Sequence, residues 1–153
     1  LGDVEEKTIA DLGAGTGILG IGVLELYGKV IFVEKDEAVV NVLKENLEGY
    51  DDYEIVEDDV SNFNKKVDVV IMNPPFGVQN RKADKKFVEK AFETSKVIYY
   101  IGKVESQGFI ENISKDYKKR ITRYWEYEMP LKKTMSFHNK KVKKIMIRCW
   151  RIQ

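Results

Sequence analysis

The stretch DLGAGTGILG, Asp11 to Gly20, decides how the rest of the chain is read. Its second half, Gly15 to Gly20, fits the G-x-G-x-x-G pattern of a dinucleotide turn, while its first half sets an acid two residues before a G-x-G-x-G run. Both patterns describe a turn between a strand and a helix. Glycines there let a ligand approach the backbone, and the helix N-terminus offers N–H groups and partial positive charge. The two ligand classes differ in charge. A pyrophosphate is strongly anionic and is repelled by a carboxylate at Asp11, whereas S-adenosylmethionine brings a zwitterion and a sulfonium, and its ammonium is attracted. Asp11 with Gly13, Gly15 and Gly17 therefore points to S-adenosylmethionine.

Working outward, apolar runs alternate with helical patterns over the first hundred residues, the signature of a parallel sheet with crossover helices. Strands are expected at Thr8–Leu12, Lys29–Val33, Glu54–Val56, Val67–Met72 and Val97–Ile101. Helices are expected at Ile18–Tyr27, stopped by Gly28; after an Asp36 cap as far as Gly49; and after an Asp84 cap, with Phe87, Val88, Ala91 and Phe92 on one stripe. Phe109, Ile110 and Ile113 suggest one more helix. Ile121–Met129 and Lys143–Arg151 alternate like long strands of a closing antiparallel pair. The expected fold is a doubly wound, Rossmann-like α/β sheet, mostly parallel, with ligands at the strand ends.

Three further positions fall on that edge. Glu34 follows the second strand, where an acid accepts hydrogen bonds from ribose hydroxyls; NAD sites share this feature. Asp58 and Asp59 follow the third strand, where a carboxylate can accept the adenine amine. Asn73, Pro74, Pro75 and Phe76 (NPPF) follow the fourth. Two prolines hold a turn rigid and leave carbonyls free to accept. The Asn73 side-chain oxygen and the Pro74 carbonyl can each take one N–H of a planar amine, aligning a poorly nucleophilic nitrogen with a sulfonium methyl. Phe76 offers a face for a base taken out of its stack. No metal is required.

The net charge of +1 conceals an asymmetry: residues 1–100 hold 12 Lys/Arg and 20 Asp/Glu, residues 101–153 hold 14 and 5. The basic third is a candidate polyanion surface, and equally a solvated lysine face. A hydrophobic share of 43% over 153 residues suits one globular domain, with neither a membrane span nor a signal peptide, so a cytoplasmic protein is expected. Cys149 is the only cysteine, which excludes an internal disulfide.

DLGAGTGILGIG, VEKD, the acidic pair and NPPF together resemble the class I S-adenosylmethionine-dependent amino-methyltransferases. NPPFGVQNRKADKKFVEKA and FHNKKVKKI further resemble the small methyltransferase-like family of ribosomal RNA N6-adenosine methyltransferases, in its archaeal form. The resemblance implies N6-methylation of an adenosine in RNA, with Asn73 and Pro74 on the amine and Pro75 and Phe76 against the base. His138, Lys140 and Lys141 would then lie along the substrate strand. Lys118, Lys119, Arg120 and Arg123, with Lys143 and Lys144, would meet RNA phosphates. It also implies a small zinc-binding activator protein paired along a sheet edge, and an N-terminal segment that this sequence does not contain. The expected organisation is one methyltransferase domain over residues 1–153 lacking that segment.

Other readings stay open at this point. NPP-aromatic sites also serve protein glutamine N5, guanine N2 and DNA adenine, although a glutamine enzyme has no use for a basic third. An NAD-dependent oxidoreductase would leave Asp11 badly placed and NPPF without a job. An inactive RNA-binding scaffold would have no need to keep Asn73.

Overall fold

The computed structural model describes residues 1–74, 81–131 and 143–153, except the side chains of 81–83, 131 and 143. Its elements run β1 (Thr8–Leu12), α1 (Ile18–Leu24), β2 (Lys29–Glu34), α2 (Glu37–Asn46), β3 (Tyr53–Glu57), β4 (Val69–Met72), α3 (Arg81–Thr94), β5 (Val97–Lys103), α4 (Gln107–Asp116), β6 (Ile121–Leu131) and β7 (Lys143–Ile152). They form a seven-stranded sheet in the order β3-β2-β1-β4-β5-β7-β6. The first five strands are parallel; β7 enters antiparallel between β5 and β6. The expected doubly wound sheet with an antiparallel C-terminal pair is what forms.

Strand order reverses between β1 and β4, because the chain builds toward β3 first and then crosses back. A doubly wound sheet opens its ligand crevice at that reversal. One face of the sheet buries Leu12, Val33, Met72, Ile98 and Trp150 against α3 and α4 residues such as Val88, Ala91 and Ile110. The other buries Ile9, Val30, Phe32 and Val69 with Val23, Leu43 and Leu47, which belong to α1, α2 and its C-cap.

Gly20 sets how closely α1 packs. A Cβ there would lie 2.1 Å from Cε1 of Phe32, whose side chain is fully buried. The third glycine of the G-x-G-x-x-G pattern is thus a packing residue. Gly20→Ala is expected to destabilise the fold by about 2–3 kcal/mol through overpacking. Urea unfolding tests this, and a loss below about 0.5 kcal/mol, the level of an ordinary surface change, would contradict it.

Several element boundaries are corrected; β2, β3, β6 and β7 each run one or two residues further than expected. α1 ends at Leu24 rather than Tyr27, because the chain turns at Glu25–Tyr27 and Tyr27 takes a φ of 60° ahead of Gly28. β4 starts at Val69, since Asp68 instead spends its carboxylate on the Thr8 N–H at 2.9 Å. α3 begins at Arg81, so Asp84 lies in its first turn and is not its cap. β5 runs on to Lys103 because β7 supplies partners as far as Ile147. The Asp36 cap is where expected, its Oδ1 accepting the Ala38 and Val39 N–H groups at 3.0 and 3.2 Å.

Cys149 is half-buried in β7, and burial pushes its thiol up to about 11. Among the described residues no helix is long and apolar enough to cross a membrane.

Candidate active site

Strand register brings the proposed site residues into a row. Leu12 of β1 lies opposite Val33 of β2 and Met72 of β4, and Glu34 lies opposite Glu57 of β3. At this end of the sheet Asp58, Glu34, Gly13 and Asn73 therefore follow one another across β3, β2, β1 and β4. Residues 13, 34, 58 and 73 are far apart in sequence and share one edge only because four parallel strands end together.

The glycine loop is held by β2. The N–H groups of Gly13 and Ala14 both donate to the Val33 carbonyl, at 2.8 and 3.0 Å. Gly13, Gly15 and Gly17 take φ values of 71°, 56° and 89°, which glycine alone adopts cheaply. Their open sides differ. A Cβ at Gly13 would lie 2.8 Å from Phe87 of α3 and one at Gly17 would lie 2.4 Å from Leu43 of α2, whereas at Gly15 nothing lies within 4 Å. Gly13 and Gly17 are small so that helices can close on the loop; at Gly15 the side-chain direction is empty.

Asp11 is 1% exposed, and its Oδ2 accepts the Gly20 N–H at 3.0 Å. Burial pushes its carboxyl up to about 7; the Gly20 N–H works against this and the negative charge of Glu34 adds to it. Glu34 is already occupied with backbone donors: Gly15 N–H on Oε2 at 3.0 Å, and Lys35 and Asp36 N–H on Oε1 at 2.8 and 3.1 Å. It thereby fastens the glycine loop to the end of β2.

The acidic pair divides its work. Asp59 caps a short 3-10 turn at Val60–Asn62 through Ser61, and meets the ammonium groups of Lys86 at 2.5 Å and Lys35 at 3.5 Å. These contacts, Lys86 first, hold its carboxyl well below the usual carboxylate range. Asp58 Oδ1 accepts the Asn62 amide at 2.8 Å and the Asp59 N–H at 2.6 Å, and Oδ2 has no hydrogen-bond partner among the described residues. Asn73 is exposed and Pro74 buried. Pro75, Phe76, His138, Lys140 and Lys141 lie outside the described residues.

Two residues that the sequence offered no reason to single out shape this row. Phe87 lies under Gly13 and Lys86 ties α3 to Asp59. Phe87 stood only as part of an apolar stripe, and a lysine in a charged helix carries no local signal of its partner.

Residues 1–102 match the family model of the methyltransferase small domain. The chain belongs to this methyltransferase family. It is 32% identical over 148 residues to the rRNA N6-adenosine-methyltransferase METTL5 of Danio rerio, covering 91% of this chain and 72% of the relative. To the rRNA N6-adenosine-methyltransferase of Drosophila melanogaster it is 28% identical over 161 residues, with coverages of 99% and 76%. Its fold superimposes with a TM-score of 0.87 on the crystal structure of a candidate RNA methyltransferase of Pyrococcus horikoshii, at 43% identity, covering 99% of this chain and 76% of that one.

Methyltransferases of this family generally use S-adenosylmethionine, and the loop suits it. The side-chain direction at Gly15 is empty, and the acids Asp11 and Glu34 flank the loop, which favours a ligand bearing an ammonium group over a pyrophosphate.

Proposed function

We propose that this methyltransferase transfers a methyl group from S-adenosylmethionine to N6 of an adenosine in ribosomal RNA. The observation that carries the reading is the Leu12–Met72 register, which sets Asn73 and Pro74 of the NPPF word directly beside the cofactor loop. The names of the two ribosomal RNA relatives support the substrate, and the basic C-terminal third suits a polyanion.

The cofactor supplies an electrophilic sulfonium methyl group. The chain's own residues do the rest by placement. Asp11 would hold the methionine ammonium, Glu34 would accept a hydrogen bond from the ribose on the lone pair its backbone donors leave, and Asp58 would accept the adenine amine. On the substrate, Asn73 Oδ1 and the Pro74 carbonyl each accept one N6–H. That directs the nitrogen lone pair along the transfer line and favours the pyramidal nitrogen that forms there. Pro75 and Phe76 confine the flipped base by stacking, and His138, Lys140 and Lys141 guide the strand. The surplus proton leaves to solvent. A small zinc-binding activator would pair on a sheet edge, for which β3 and β6 are the open strands.

The decisive assay incubates the protein with methyl-labelled cofactor and a ribosomal RNA transcript, then digests the RNA to nucleosides. Label in N6-methyladenosine is expected. Label in N2-methylguanosine, or only in a release-factor glutamine offered in parallel, would overturn the substrate.

The acidic pair yields a separate expectation. Asp58→Ala should weaken cofactor binding about tenfold, the worth of one charge-assisted hydrogen bond, with little change in stability. Asp59→Ala should instead cost about 1 kcal/mol of stability through the lost cap and leave cofactor affinity within about threefold. Calorimetric titration paired with thermal melts checks both; reversed effects would exchange the two roles.

A further inference from the structure

In sequence the basic third is one region, but the topology divides it. Arg120 exchanges backbone hydrogen bonds with Gln153 where β6 begins, whereas Lys144 faces Pro130 at the far end of the same ribbon. The extended chain from Lys144 to Gln153 spans about 30 Å. Lys144 rises beyond the ligand edge, and Lys118, Lys119 and Arg120 lie at the opposite edge. They sit about three strand spacings across and four residues down from Asn73, roughly 20 Å away.

The second group surrounds a built feature. α4 ends at Asp116; Lys118 takes a left-handed φ of 54°, and the Lys119 N–H returns to the Ser114 carbonyl at 2.7 Å. The turn leaves a recess of about 490 Å³ lined by Ser114, Lys115, Lys118, Lys119 and Arg120, with Glu111 the one acid among them. None of the four cations belongs to an ion pair among the described residues. Cations after a helix C-terminus also relieve its carbonyls, and that accounts for one or two of them. It does not account for Ser114, which is 2% exposed and whose Oγ has no hydrogen-bond partner among the described residues. Buried hydroxyls are normally satisfied. Ammonium and guanidinium groups only donate and the hydroxyl can donate with them, so an anion made of acceptors is the complement of the recess.

We propose that this recess binds a phosphate of the RNA backbone away from the target adenosine, so that the substrate is held at two places about 20 Å apart. The proposal rests on the RNA reading above. It predicts that a short oligonucleotide around the target adenosine and a long folded transcript are bound differently. The test measures the salt dependence of binding for both RNAs with wild type, with Lys118→Gly, and with the triple variant Lys118→Gly/Lys119→Ala/Arg120→Ala. Glycine at position 118 suits the left-handed backbone, so the single variant removes a charge without threatening the fold. On the transcript, the log–log salt slope should fall by about one for the single variant and about two to three for the triple. On the short oligonucleotide no slope should change. An unchanged slope on the transcript overturns the second contact while leaving the RNA reading intact. So does stabilisation by inorganic phosphate alone that the triple variant loses without any change toward the transcript, which marks a free-anion site. Failure of wild type to bind either RNA overturns both readings.

Discussion

Asn73→Ala is expected to lower methyl transfer by a hundred- to a thousandfold while the cofactor dissociation constant moves less than about threefold. Asn73 is exposed just past the end of β4, where the register sets it against the glycine loop, and among the described residues none of the hydrogen bonds that hold the loop runs through its side chain. Truncating it should leave the fold and the cofactor site as they are. On the proposed reading what is lost is an acceptor whose hydrogen bond strengthens as the amine nitrogen gains positive character, so the loss should fall on kcat more than on KM. Single-turnover transfer to a ribosomal RNA transcript, with cofactor titration alongside, separates the two. Transfer within a few-fold of wild type would remove Asn73 from the chemistry, and a parallel collapse of cofactor binding would make it a structural residue.

The second large effect belongs to Asp11 and pH. Its folded carboxyl sits near 7 because it is buried, against an ordinary value of 3.8. Between those values the native state holds a proton that the unfolded chain releases, so native stability declines as pH rises from about 4 to 7, by up to about 4 kcal/mol in total, and levels off above. Asp11→Asn keeps an oxygen for the Gly20 N–H and removes that ionisation. The variant should therefore match wild type near pH 4 and exceed it by up to about 4 kcal/mol at pH 8. Cofactor binding should show the opposite face of the same linkage. On the proposed reading the cofactor's ammonium group lies beside Asp11 and favours the carboxylate, so wild-type affinity should tighten by up to about tenfold per pH unit between pH 5 and 7 and then flatten, and Asp11→Asn should lack that slope. Urea unfolding and cofactor titration at pH 5, 6, 7 and 8 check this. A stability difference between the two proteins that does not vary with pH would mean that Asp11 does not titrate in this range.

A smaller linkage lies in Glu34. Its carboxylate accepts three backbone N–H groups and fastens Gly15 to β2, so on the proposed reading the ribose would meet an oriented acceptor rather than a free side chain. Preorganisation of this kind spares the ligand the cost of ordering the loop.

Much of this was legible along the chain because it depends on near neighbours. Asp36 caps its helix, Gly13, Gly15 and Gly17 turn the backbone, and the apolar runs mark five parallel strands within a residue or two; all of these are decided by local dihedral preference and periodicity. The order of strand-end acids and the NPPF word point, along the chain, to S-adenosylmethionine and an amino group as the expected ligands. Tertiary structure alone decided which atoms are shared. Gly20 is small because of Phe32, and Gly13 because of Phe87. Asp59 is committed to Lys86, 27 residues away, which leaves Asp58 as the acceptor with an open oxygen. A basic third that is contiguous in sequence is split across opposite edges of the sheet because β7 runs antiparallel between β5 and β6. Local chemistry determines what each residue can do, but packing determines which donors, rings and charges reach it, and those arrive from parts of the chain that carry no mark of their destination.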